Sequence, residues 1–164
     1  MTFIGRATLL AFFVSLGALV GAATVSVLMF ETGVQEDAPK IEATSAWESG
    51  VMDAFFNAGH IVSNADTKRL NAPGLPSSSV GLVEAREGGA DFVVYISLDY
   101  GPSAEAIGKV RIAPRAVSYR LCNERGESLF QAEKKPNATK SGAEDAQNAQ
   151  EIARTLIVQM KKGR

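Results

Sequence analysis

Residues 7–30, ATLLAFFVSLGALVGAATVSVLMF, make a run of 24 residues without one ionisable side chain. No other stretch of the chain approaches it in length or apolarity. As a helix rising about 1.5 Å per residue it would reach roughly 36 Å, enough to cross a hydrocarbon core of about 30 Å with some tilt. A single lipid-facing span has to be helical, because only a helix pairs its own backbone groups. Arg6 precedes the run, whereas Glu31, Glu36 and Asp37 follow it. This order predicts that the N-terminus stays cytoplasmic and the bulk of the chain is exported.

Two readings of the run compete. A cleaved signal peptide needs a positive start, an apolar core of about 7–15 residues and small residues before the cut. Arg6, residues 7–20 and Gly21-Ala22-Ala23 fit that plan, with a cut after Ala23. Against it, the apolar run continues through Val25, Val27, Leu28, Met29 and Phe30, which favours an uncleaved anchor over residues 1–30. Gly17 and Gly21 form a G-x-x-x-G pair that could bring two such helices together as a homodimer. Under the anchor reading the protein sits in the inner membrane by residues 7–30, as a single-pass chain with its C-terminal domain outside the cytoplasm. Under the other it is periplasmic or secreted.

Removing the first 30 of the 164 residues leaves 134, enough for one domain with one core. Residues 31–44, polar and carrying Gly33 and Pro39, read as a tether, and residues 45–164 as the exported domain. Lys plus Arg number 17 against 18 Asp plus Glu, a net charge of −1, which gives nucleic acid no electrostatic footprint. A single cysteine, Cys122, rules out an internal disulfide and reads as a small strand side chain.

Within the domain, Ser45-Ala46-Trp47-Glu48 has the form of a capping box. Trp47, Val51, Met52, Phe55 and Phe56 then recur as one helical face, and Gly59 ends the helix. His60, the only histidine, has no second His, Cys or acidic ligand at metal spacing, so neither a metal nor a cofactor site is read. Residues 61–63 read as a short strand. Ser77, Ser78 and Ser79 lack a nucleophile elbow and read as the start of a helix that ends at Gly88-Gly89. Residues 91–100, DFVVYISLDY, alternate so that Phe92, Val94, Ile96, Leu98 and Tyr100 share one face. Residues 109–122 are extended with a break at Pro114, and Asn123-Glu124-Arg125-Gly126 turns them into residues 127–133 as a hairpin. Ser141-Gly142-Ala143-Glu144 is a second capping box. A last helix follows with Ala146, Ala149, Ile152, Ala153, Leu156, Ile157 and Met160 on one stripe. The fold expected is α/β (α+β): a small mixed sheet of about four strands with an antiparallel hairpin, packed by about three helices.

Three motifs carry a resemblance. Ala58-Gly59 steps into a strand, Gly89-Ala90-Asp91-Phe92 opens another, and Gly126-Glu127-Ser128-Leu129-Phe130 closes the hairpin. Over residues 47–162 the chain resembles small α/β envelope domains of the bacterial curli-secretion-channel and penicillin-binding-protein-activator lipoprotein type. It departs from them in lacking a lipidated cysteine and a segment that could build a secretion barrel. The resemblance implies binding or assembly work in the cell envelope, without catalysis, towards a protein or cell-wall partner.

The binding surface expected is the hairpin face with Arg115, Ser118 and Arg120. The competing reading is an exported hydrolase using Asp66, Asp91 or Asp99. Asp91 and Asp99 on one strand would stand about 26 Å apart, too far to share acid–base work, and only Asp66 could approach Asp99.

Overall fold

The computed structural model describes residues 21–35, 38–101 and 112–163. One interior strand of its sheet is a segment that the sequence reading assigns to the membrane. β1 (Thr24–Thr32) is buried along almost its whole length, and it is hydrogen-bonded on both sides. It is followed by α1 (Glu42–Asn57), β2 (Ile61–Asn64), β3 (Lys68–Leu70), α2 (Leu82–Glu87), β4 (Phe92–Asp99), β5 (Ala116–Asn123), β6 (Ser128–Lys134) and α3 (Gly142–Lys162).

The sheet runs β2-β1-β4-β5-β6, with β3 also beside β1. β1 pairs in parallel with three partners: β2 along its first half, β3 along its second, and β4 on its other side. β5 and β6 add on antiparallel, as the hairpin expected. The sheet thus has six strands rather than about four, and the two that the sequence reading missed are β1 and β3.

The correction to the N-terminal reading has a plain physical cause. A parallel strand buried on both faces must be apolar on both, so it reads as a continuous hydrophobic run instead of an alternating one. Val25, Val27 and Met29 join the main core, while Leu28 and Phe30 join a second core on the opposite face. Joined to the apolar residues before it, β1 has the hydropathy of a membrane helix. With residues 24–30 in the sheet, residues 7–23 remain as the apolar run, about 25 Å long if helical and short of the roughly 30 Å needed. No helix among the described residues is long and apolar enough to cross a membrane. Gly17 lies outside the described residues, and Gly21 lies in coil ahead of β1. The span read as a tether divides between the end of β1, the connection to α1 and the first residues of α1.

The main core lies between the sheet and the pair α1 and α3. Trp47, Val51 and Phe55 of α1 and Ile152, Leu156 and Met160 of α3 meet Val94, Ile96 and Leu98 of β4 there. Each such side chain contributes about 1.5–3 kcal/mol on leaving water. Phe56, expected on the same face, instead points outward and is 72% exposed. The other face of the sheet is covered by the segment that leads into and through α2, with Leu75, Val80, Leu82 and Ala85 over Val93, Tyr95 and Cys122.

Helix ends show which caps were local enough to read. Ser141 caps α3 by accepting from the Glu144 N–H at 3.3 Å, as expected, while the Glu144 carboxylate accepts from Lys140 N–H. Gly59 (φ 86°) follows the C-cap of α1 in the left-handed region. The box at Ser45 fails, because α1 begins one turn earlier with Ile41 at its N-cap and no side-chain cap of its own. Nor does serine cap α2, whose N-cap is Gly81 at φ 71°.

α1 and α3 approach closely at Gly50, where an added Cβ would stand 2.4 Å from the Ala146 carbonyl oxygen. The obstacle is the backbone of Ala146, so the helices would have to part. Gly50→Ala is therefore expected to lower stability by about 1–3 kcal/mol in urea unfolding. An unchanged midpoint would show that this contact is not formed.

Candidate functional site

In an open sheet with parallel strands, ligands are held at the carboxyl ends of the strands, where connections leave in opposite directions. In this fold that point is the end of β1. One connection leads through α1 to β2 on one side, and β4 lies on the other. A cleft of about 570 Å3 opens there, lined by Glu31, Lys40, Glu48, Asn64, Asp66, Thr67, Lys68 and Arg69 among others.

Glu31 is the deepest of these groups, at 1% exposure. Its Oε1 accepts from the Thr44 hydroxyl at 2.6 Å and from the Ile41 N–H at 3.3 Å. Its Oε2 meets Arg69 Nε at 3.2 Å. The carboxylate thus sits at the uncapped N-terminus of α1, where helix amides and dipole favour negative charge. A carboxylate can only accept, so the single Thr44 proton points to it. The Tyr100 hydroxyl, 2.7 Å from Thr44, then donates to Thr44. Arg69 also reaches the Pro39 carbonyl at 3.2 Å, fastening the β1–α1 connection to β3.

At the rim, Glu48 takes Lys40 at 2.6 Å and the Asn64 amide at 2.7 Å. Across β1, Asp99 ends β4 in a second polar knot. It accepts from Arg115 Nε at 2.8 Å, from the Gly101 N–H at 2.8 Å and from the Thr32 hydroxyl at 3.3 Å.

The residues singled out in the sequence are not brought together. Asp91 stands at the opposite end of β4, where its Oδ2 accepts the Thr24 N–H at 2.8 Å. Asp66 lies beyond the other edge of β1 from Asp99, two strand spacings or about 10 Å away before any offset along the strands. Arg115 lies against Asp99. Ser118 and Arg120 lie on the face covered by the α2 segment, and Arg120 is held by Gln131 at 2.8 Å, by the Pro76 carbonyl at 2.9 Å and over the Tyr95 ring. Among the described residues no group of three His, Cys, Asp or Glu is placed to hold a metal. Sequence reasoning missed Glu31, Thr44 and Arg69 altogether. Their partners are 13 and 38 positions apart, and the only signal was an acid closing an apolar run.

Tyr95 and Cys122 lie beside this arrangement, not in it. Burial pushes the Tyr95 phenol up to about 12 and raises the Cys122 thiol, with Arg120 opposing both. The Tyr95 hydroxyl donates to the Ser78 carbonyl at 2.6 Å, fastening the α2 segment.

The fold and cleft together define a mixed α/β domain with a polar, two-signed cleft at the carboxyl end of its central strand. No protein-family model matches the sequence, and no curated protein matches it. Similar solved structures do exist. One is the PelC dodecamer from Paraburkholderia phytofirmans, with 19% identity over 82% of this chain and 85% of that one, at a TM-score of 0.44. Lipoprotein GNA1162 from Neisseria meningitidis shares 15% identity over 85% and 99% of the two chains, at 0.43. The C-terminal domain of LpoB from Salmonella enterica shares 17% over 72% and 84%, at 0.36. A bacterial lipoprotein, as in the resemblance drawn from the sequence, is present among these neighbours.

Two predictions follow from the geometry. Glu31→Ala leaves Arg69, 18% exposed, without its anion and α1 without its cap. Its expected loss in denaturant unfolding is about 3–5 kcal/mol, with Glu31→Gln losing less because it can still accept from Thr44. Second, Tyr95 holds its proton more tightly when folded than at its ordinary value of 10.0. Its contribution is then complete below pH 10 and lost as pH rises towards 12. Tyr95→Phe should flatten the fall in stability across that window, and an equally steep fall would refute this assignment.

Proposed function

We propose that the chain is an exported domain of the bacterial cell envelope with a non-catalytic binding or assembly role, and that it binds its protein or cell-wall partner at the Glu31–Arg69 cleft. One observation carries the reading. The buried carboxylates around the cleft are taken up in structural bonds, Glu31 by Thr44, Ile41 and Arg69, and Asp99 by Arg115, Gly101 and Thr32. General acid–base hydrolysis needs two carboxyl groups in unlike environments with room for substrate between them. The cleft instead offers Asp66 and Lys68 at an open rim, charges of opposite sign two residues apart. Such a rim suits a partner carrying both signs of charge and discriminates against a polyanion.

Export is supported by Arg6 and the apolar residues 7–23, which have the length and flanks of a cleaved signal better than those of a span. The domain is then periplasmic or otherwise outside the cytoplasm after cleavage. The hairpin residues Arg115, Ser118 and Arg120 serve the fold in this reading.

A photo-crosslinker at position 68 of the full chain, produced in a bacterial envelope, tests the site against the same group at exposed Val158. A discrete adduct at position 68 that weakens several-fold with Asp66→Lys, and is absent at 158, is expected. Equal adducts at both positions would overturn the site. Turnover of cell-wall fragments that is lost in Asp66→Ala would overturn the non-catalytic reading.

A further inference from the structure

The exported apolar run and the folded sheet meet at residues 21–23, and we propose that the bond broken on export is Ala22–Ala23, so that Ala23 becomes the first residue of the mature domain. The inference rests on the cleaved-export reading above and sharpens it. The small-residue rule alone selects the next bond, after Ala23, with Gly21 and Ala23 as the two small residues preceding the cut. The fold separates these candidates.

Gly21 and Ala22 are exposed, whereas Ala23 has no exposed surface and belongs to the main core. The Ala23 carbonyl accepts the Ile61 N–H at 2.9 Å, the contact that begins the pairing of β1 with β2. Its N–H donates to His60 Nδ1 at 3.3 Å, and the His60 ring is itself buried, edge-on to Phe55. A cut after Ala23 would remove a core methyl, the carbonyl on which Ile61 depends and the donor to His60. Without the Ala23 carbonyl the Ile61 N–H loses the acceptor that begins this strand pairing. A cut before Ala23 takes only Gly21 and Ala22 of the described residues, both exposed, and leaves these three groups in place.

The chemistry is peptidase-catalysed hydrolysis. Water adds across the Ala22–Ala23 amide, the C–N bond breaks, Ala22 leaves as the carboxylate of the leader and Ala23 keeps the nitrogen as an ammonium. That ammonium has three protons where the amide had one, so the bond to His60 Nδ1 is kept and becomes charge-assisted. This gives the chain's only histidine a role as the receptor of the mature N-terminus. Ala22 supplies the small side chain that the peptidase needs immediately before the cut.

The test is intact mass and N-terminal sequencing of the full chain recovered from a bacterial envelope fraction. A mature chain beginning at Ala23 is expected. One beginning at Thr24, or at any other residue, would overturn this inference while leaving cleaved export in place. An uncut chain would overturn both. In Ala22→Leu the cut is expected to be lost or displaced, because a bulky side chain then precedes the bond. A mature mass unchanged by Ala22→Leu would overturn the assignment independently.

Discussion

A buried carboxylate at the end of the central strand holds the elements of this fold in register. Glu31 accepts from a backbone amide and a hydroxyl at the start of α1 and from a guanidinium on β3, and through Thr44 it reaches Tyr100 just after β4. An isolated ionised carboxylate at such depth would be prohibitive. Here each of its neighbours is itself in need of a partner: a helix with no side-chain cap, a half-buried arginine and a buried threonine hydroxyl. The arrangement is therefore reciprocal: the start of α1, Thr44 and Arg69 each give Glu31 a donor and each gain an acceptor. That reciprocity also explains how an acid inside the cleft can be a structural group.

What could be read from the sequence divides by the distance over which each determinant acts. The turn at Asn123–Gly126 was legible because one side chain makes it: the Asn123 oxygen accepts from Arg125 and Glu127 N–H, within four residues. Ser141 and Glu144 were legible for the same reason, and so was the alternation of β4. The box at Ser45 has the same local form, but α1 starts a turn earlier, where the Ile41 N–H goes to Glu31, ten positions away. Local capping contributes about 1 kcal/mol, which a buried charged partner outweighs. The site was illegible for a similar reason, since Glu31, Thr44, Arg69 and Asp99 are distant in sequence and only the parallel pairing around β1 brings them to one end of the sheet.

β1 itself shows how hydropathy misleads where two environments ask for the same side chains. A membrane interior and a doubly covered parallel strand both select long apolar runs. The alternation of Thr24, Val25, Ser26 and Val27 was a period-two signal inside the run, but Leu28, Met29 and Phe30 erased it. Once residues 24–30 belong to the sheet, the arithmetic of the remaining run changes with them. Seventeen residues are left, against the roughly 20 of a typical bilayer span.

The same continuity ties folding to export. β1 pairs with Ile61 at a separation of 37 residues and opposes Phe92 at 67. It lies inside the sheet between β2 and β4, so neither has this partner until residues 24–32 join the fold. A break placed immediately before Ala23 releases the strand with its first hydrogen bonds intact. Here the buried methyl of Ala23, the His60 ring and the Ile61 amide mark where the folded domain begins, which composition alone does not.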